Sequence, residues 1–323
     1  MPTHNRPRML ARALRHYTSH DVDFPIIVVD TSATEIQTEN DRAIAACAAR
    51  VKHVRCPPDM SVFDKFYSLP ELIDTPFAMY MADDDIALLP GVFASLAFLR
   101  AHPDFAACHG VYYNAATAEE ASLRVGTEYA TVSIDLPGPI DRLFALAVRY
   151  QAITYAVQRR ETFLFARPPI EIADQHFWEL FNAFAIAISG KVAALATPYM
   201  VRNAQLGAQP DFLGDGNNWV LKSSADMANG YALFRSYVAN LLGPYTTKRS
   251  GTHLVDLVYL TFLSRWFDVG LITSRLSAEG EISPGAEKIL AAMMARSNTA
   301  PPPAEYVSAV LRGFMADRWP HFG

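Results

Sequence analysis

Leu10, Ala13, Leu14 and Tyr17 recur at the spacing of one helix face and predict an amphipathic helix near the start of the chain. A continuous apolar run follows at 24–29 and ends at Asp30, the pattern of a strand buried on both faces of a parallel sheet. Residues 40–50 are Ala-rich and predict a helix, and 51–55 predict a short strand. Ser61 and Asp64 are spaced like a capping box and open a helix reaching about Leu72. A second apolar run, 77–82, stops abruptly at Asp83, Asp84 and Asp85.

Alternating strand and helix signals of this kind imply right-handed crossovers and a parallel sheet. Ligands of open α/β sheets collect beyond the carboxyl ends of the strands. Asp30 and the Asp83–Asp85 run both follow a predicted strand, so the two acidic sites should share one rim. The middle of the chain is mixed: helix at 89–100, strand at 105–113, a strand-like stretch at 124–134 able to pair antiparallel, helix at 141–150, helix at 174–187 and strand at 192–197. A Gly/Asn-rich break at 207–218 precedes almost wholly helical signals at 226–242, 253–272, 285–296 and 304–319. The expected division is therefore 1–210 as the ligand-binding, catalytic domain and 211–323 as a helical subdomain.

With 51% hydrophobic and 19% charged residues, the chain can bury a sizeable core and is not a disordered polymer. Its net charge of -5 argues against nucleic acid as a partner. Cys47, Cys56 and Cys108 form no C-x-x-C pair, which predicts reduced thiols and a cytoplasmic protein. The N-terminus lacks the apolar core of a secretory signal. The stretch 253–272 has a membrane-like length but carries Asp256, Arg265 and Asp268, each costing roughly 2.5–3.5 kcal/mol at a bilayer centre. It predicts a buried or interface helix and leaves peripheral membrane contact or homo-oligomerisation through the C-terminal helices open.

Three adjacent carboxylates repel one another, and their pKa values rise unless a cation or hydrogen bonds compensate. A solvated turn is one solution. Another is a hard divalent cation, Mg²⁺ or Mn²⁺, held by one or two carboxylates together with substrate phosphates. The buried-type strand before the run and the apolar Ile86-Ala87-Leu88-Leu89 after it favour the second.

Taken together, Pro2-Thr3-His4-Asn5-Arg6-Pro7, Ile27-Val28-Val29-Asp30-Thr31-Ser32 and Met81-Ala82-Asp83-Asp84-Asp85 resemble, in order and spacing, the family 2 glycosyltransferases. More narrowly they are similar to bacterial sugar transferases opening with P-T-x-N-R-P; the resemblance covers roughly 1–205. It implies a GT-A, Rossmann-like fold with a mixed, mainly parallel sheet flanked by helices. It implies transfer of a sugar from a nucleotide-diphosphate donor to a carbohydrate or other hydroxyl acceptor. By position, Pro2, Thr3 and His4 would lie against the nucleotide base and Asp30 would hydrogen-bond it. Asp83 would approach the ribose, Asp85 would coordinate the metal on the diphosphate, and Asp84 would assist either. Arg6 is read either as a phosphate contact or as a surface residue.

Inverting members need a general base for the acceptor hydroxyl. Asp174 occupies the corresponding place, with helix N-capping as its competing role and Glu171 in reserve. His176 is read as a wall or acceptor contact and His109 as a core histidine. Arg202 is either a phosphate partner or a solvated cation, and Lys248 and Arg249 could close over the diphosphate. In the family several apolar residues precede P-T-x-N, whereas here Met1 stands immediately before it. That predicts a gap beside 24–29 with unpaired backbone groups, at a cost to stability or nucleotide binding unless something covers it. A nucleotidyltransferase of similar fold and a non-catalytic sugar-nucleotide binder are the alternatives. A dehydrogenase is disfavoured because no G-x-G-x-x-G follows a strand.

Overall fold

The computed structural model describes residues 1–18, 22, 24–47, 50–117, 123–127, 131–203 and 224–263. The predicted break at 207–218 and the predicted helices at 285–296 and 304–319 lie outside them. The chain divides into two compact units, 1–135 with 151–170 and 189–210, and 136–150 with 171–188 and 211–323.

Among the described residues, all strands belong to the first unit. β1 (Pro2–Thr3), β2 (Ile26–Asp30) and β3 (Val51–Arg55) form a three-stranded parallel sheet. The second sheet has the order β4 (Phe77–Ala78), β8 (Val157–Arg159), β6 (Phe105–Thr117), β9 (Lys191–Asn203), β5 (Ile86–Ala87), with β7 (Leu123–Thr127) on β6. In it β6 and β9 run parallel and the other pairs antiparallel. The single sheet read from the sequence is thus two hydrogen-bonded sheets. The reason lies at the edges: β1 pairs with β2 only from Pro2 onward, and the apolar run 77–82 is laddered only over its first two residues.

The first helix, α1 (Pro7–Thr18), buries the four residues its periodicity singled out, Leu10, Ala13, Leu14 and Tyr17. The next, α2 (Thr34–Ala45), starts six residues before the Ala-rich stretch. Its first turn is anchored by the Gln37 N–H to the Ala33 carbonyl, so the end of β2 sets where it begins. In α3 (Val62–Ser68), Ser61 Oγ accepts the Asp64 N–H at 3.1 Å, the expected cap. Pro70 has no N–H to continue that helix, and 69–72 tighten to a 3₁₀ turn. α4 (Leu89–Ala101) lies so close to β9 that a Cβ on Gly91 would sit 2.2 Å from the Pro198 carbonyl oxygen. α5 (Pro139–Val148) belongs to the second unit, and the short α6 (Arg160–Phe165) completes the first.

The second unit packs α5, α7 (Gln175–Ser189), α8 (Ser224–Leu241) and α9 (Lys248–Leu263) around His176, Phe177, Tyr231, Phe234, Tyr259 and Phe262. Asp256, one of the charges that spoke against a membrane span, accepts from Tyr231 at 2.6 Å and from Arg235 at 2.6 and 2.7 Å, tying α8 to α9. Arg142 on α5 donates to the Ala187 and Ile188 carbonyls at the end of α7. Among the described residues no helix is long and apolar enough to cross a membrane.

Candidate functional site

Parallel pairing of Pro2 with Val29 and Thr3 with Asp30 brings both strands to an end at the same level. Two loops leave side by side. Asn5 has a φ of 53°, a left-handed conformation that asparagine tolerates better than most residues. The turn aims its N–H at Ser32 Oγ (2.8 Å) and its Oδ1 at the Ala33 N–H (2.9 Å). His4 Nδ1 faces the Thr31 carbonyl at 2.9 Å and Thr31 Oγ1 at 3.1 Å. The loop after β1 is therefore locked to the loop after β2 before any ligand arrives.

The acidic run meets this pair of loops. Thr3 Oγ1 donates to Asp83 at 2.7 Å, and one Arg6 nitrogen donates to both Asp83 and Asp84 at 3.1 Å. Arg12 donates to the Asp84 carbonyl. Arg202 Nε stands 3.7 Å from Asp85, with its guanidinium over the Tyr155 ring. Asp83 and Asp85 are only 4% and 5% exposed. Burial pushes the Asp83 carboxyl above the usual carboxylate range, with the neighbouring Asp84 charge adding to it and Thr3 and Arg6 opposing it.

Asp30 is the opposite case. Burial again works against its charge, but hydrogen bonds from Ser32, Asn40 and His53 outweigh it and hold the carboxyl below its ordinary value. The Ser32 N–H and Asn40 Nδ2 each donate at 2.8 Å, and His53 Nε2 lies 3.1 Å away. His53 Nδ1 in turn contacts Asp41 at 2.8 Å, and Asp41 pairs with Arg55. The Ser32 side chain adds a further hydrogen bond, so the roughly four lone-pair sites of this fully buried carboxylate are taken by its neighbours.

Lys65, fully buried on α3, lies between the two acidic sites. It donates to the Thr3 carbonyl at 3.2 Å and to Thr31 Oγ1 at 2.9 Å. Burial lowers its ammonium to about 8 against the pull of Asp83 and Asp30. His4 is also lowered, first by burial.

Pro2, Thr3, His4, Arg6, Asp30, Asp83, Asp84 and Asp85 thus gather at one strand-end rim of the first unit. Asp174 belongs to the second unit. There it caps α7: its Oδ1 accepts the Phe177 N–H at 3.0 Å and its carbonyl the Trp178 N–H at 2.8 Å. His176 meets the Tyr259 hydroxyl at 3.0 Å inside the aromatic core, where burial lowers it to about 4. His109 is likewise a core residue: its Nδ1 faces the Gly110 carbonyl at 2.9 Å, and burial lowers it to about 4. The predicted role for Lys248 falls on a side chain outside the described ones.

The sequence reading gave no role to Asn5, Asn40, His53 or Lys65. A lysine on a seven-residue helix between Phe63 and Phe66 was a usable signal for Lys65. The others lacked one, because their partners are 10 to 28 residues away in sequence.

Among the described residues no group of three or more His, Cys, Asp or Glu side chains is arranged to hold a metal ion. The hard carboxylate oxygens of the run suit Mg²⁺ or Mn²⁺ only in the mode where one or two protein ligands are completed by phosphate oxygens.

No protein-family profile matches the chain, and no curated protein matches its sequence. Solved structures do match. The S. aureus TarS 1–349 complex with UDP-GlcNAc superposes with a TM-score of 0.57 at 11% identity, covering 96% of this chain and 80% of that one. The complex of the same protein with UDP gives 0.53 at 13% identity, covering 82% and 69%. The chain has the α/β GT-A fold of nucleotide-sugar glycosyltransferases, with a helical C-terminal region.

Proposed function

We propose that the chain is a glycosyltransferase that moves a sugar from a nucleoside-diphosphate donor to an acceptor hydroxyl, with 1–210 as its donor-binding, catalytic part. The observation that carries this reading is the preassembled rim, where Thr3 and Arg6 hold the buried acidic run beside the hydrogen-bonded Asp30. It sits on a fold whose similar structures include a UDP-GlcNAc complex. Pro2, Thr3 and His4 receive the base, Asp30 hydrogen-bonds it once the rim opens to admit the ligand, and Asp83 approaches the ribose. Asp85, with Asp84 assisting, holds the divalent cation; Arg6 and Arg202 meet phosphate oxygens. A bound cation supplies neutralisation of the charge that grows on the departing diphosphate. Asp174 accepts the proton of the acceptor hydroxyl as its oxygen attacks the anomeric carbon, which inverts that centre.

The experiment is nucleoside-diphosphate release from UDP-, GDP- and dTDP-linked sugars with Mn²⁺, alongside CMP release from a CMP-linked sugar. Asp85→Ala should lower turnover by about 10²–10³-fold. Asp174→Asn preserves a good helix cap and removes the base, so donor binding should persist while transfer falls by about 10²–10⁴-fold. Unchanged transfer in Asp174→Asn leaves the cap as the residue's only role. Pyrophosphate release from a nucleoside triphosphate indicates a nucleotidyltransferase instead. The absence of metal-dependent binding of any of these nucleotides sinks the proposal.

A further inference from the structure

Between β4, which stops at Ala78, and β5, which starts at Ile86, the chain bends through Asp83, Asp84 and Asp85 without a ladder of its own. Thr3, Arg6 and Arg202 reach the carboxyl groups of that bend. Its backbone is held from another side. Along an antiparallel strand, alternate residues turn their N–H and C=O to one neighbour and then away from it. Ile86 pairs with Val201 on β9, and the Leu88 N–H donates to the Tyr199 carbonyl. Ala87, between them, therefore turns both of its backbone groups away from β9.

The helix α1 meets them there. The Ala87 N–H donates to the Tyr17 hydroxyl at 3.2 Å, and His16 Nε2 donates to the Ala87 carbonyl at 3.0 Å. The Tyr17 ring packs edge-on against the His16 ring, with centroids 5.1 Å apart. One turn earlier, Arg12 donates to the Asp84 carbonyl. Residues four apart on a helix are neighbours, about 5–6 Å apart at Cβ, so Arg12 and His16 together span the bend from 84 to 87. Asp85 lies between their two attachment points. The helix takes the place that a partner strand would have on the outer edge of β5.

The core face of α1 is Leu10, Ala13, Leu14 and Tyr17; Arg12 is exposed and His16 half-buried, so packing of the helix requires neither. The carbonyl that Arg12 holds belongs to the peptide unit leading into Asp85. We propose that Arg12 and His16 are positioning residues for the divalent cation: acting through the backbone carbonyls of 84 and 87, they fix the direction of the Asp85 carboxylate. The inference rests on the reading of Asp85 as the ligand of that cation. Groups that orient a ligand from behind typically cost about 10–100-fold in metal affinity when removed.

The test is equilibrium dialysis of UDP, GDP, dTDP and CMP, each with and without Mn²⁺, and the quantity read is the factor by which Mn²⁺ tightens nucleotide binding. Arg12→Met combined with His16→Phe keeps bulk and deletes both donors. It should cut that factor by about tenfold or more while metal-free binding stays within about twofold. Arg12→Lys combined with His16→Gln keeps both donors and should hold the factor within about threefold of the parent. Arg12→Met alone, at an exposed position, should lower it by about threefold or more whether or not the double variant folds. An unchanged factor in Arg12→Met overturns the proposal. So do equal losses with and without Mn²⁺, which mark a collapse of the whole rim, and so does a Lys and Gln pair that fails to keep the factor. A factor lost in Asp85→Ala but kept in the Arg12 and His16 variants overturns this proposal alone. A factor that Asp85→Ala leaves unchanged overturns the reading of Asp85 itself.

Discussion

The two ends of the β1–β2 pair carry opposite solutions to burial. At the carboxyl ends, buried charges are held by partners: Asp30 by Ser32, Asn40 and His53, Asp83 by Thr3 and Arg6, Lys65 by a carbonyl and a hydroxyl. At the other end the Met1 nitrogen, whose ammonium form burial lowers to about 5, borders a largely apolar cavity of about 310 Å³ lined by Phe24, Ile27, Phe77, Val92 and Val157 among others. Buried charge is tolerated where neighbours replace the lost water and disfavoured where they do not. At the rim, then, hydrogen bonds replace lost water around buried charge, whereas at the other end largely apolar walls do not.

The sharpest way to break this contrast is Asp30→Ala, which leaves the Asn40 and His53 donors without their acceptor in the interior. It should cost about 3–5 kcal/mol in urea unfolding. A loss below about 1 kcal/mol would mean that the network is not holding the rim. The Met1 nitrogen comes next. Its folded pKa of about 5 lies below the ordinary 8.0, so the unfolded chain binds more protons between those values. Stability of a chain starting at Met1 is thus full above pH 8 and is lost as the pH falls toward 5, by on the order of 4 kcal/mol at most. Acetylating that nitrogen should abolish this pH dependence in thermal melts. A flat profile in the unacetylated chain would remove the difference between the two ends.

Thr3→Val keeps shape and deletes one donor to the buried Asp83 carboxylate, for an expected loss of about 1–3 kcal/mol. The Asp83 titration, followed by carboxyl NMR shifts, should move further up. The smallest effect belongs to the wall of the apolar cavity. Val92→Ala should cost about 1–2 kcal/mol in urea unfolding, because the cavity it enlarges is already there.

Much of the rim was legible in the chain because its pieces are local. An apolar run that ends in aspartate marked the end of β2 at Asp30; Asp83–Asp85 were read as a strand end too, but they lie in a bend beyond β4, which stops at Ala78. The helix of Leu10, Ala13, Leu14 and Tyr17 and the Ser61 cap were legible for the same reason. The short strands β5 and β8 were not, since two or three residues carry no period and exist only through their neighbours. The run 77–82 read as one strand because its composition is right. It is laddered over two residues because a strand also needs a partner on its edge.

By itself, then, the sequence determined the α/β class, the end of β2 at Asp30 and the cap of α3, all of which follow from periodicity and short-range hydrogen bonding. Tertiary structure decided that Thr3 and Arg6 grip Asp83, that Lys65 donates to the Thr3 carbonyl and the Thr31 hydroxyl within the field of Asp83 and Asp30, and that the strands form two sheets beside a cavity. Those outcomes depend on contacts between residues up to 80 positions apart and on space left unfilled. Neither quantity has a local signature along the chain.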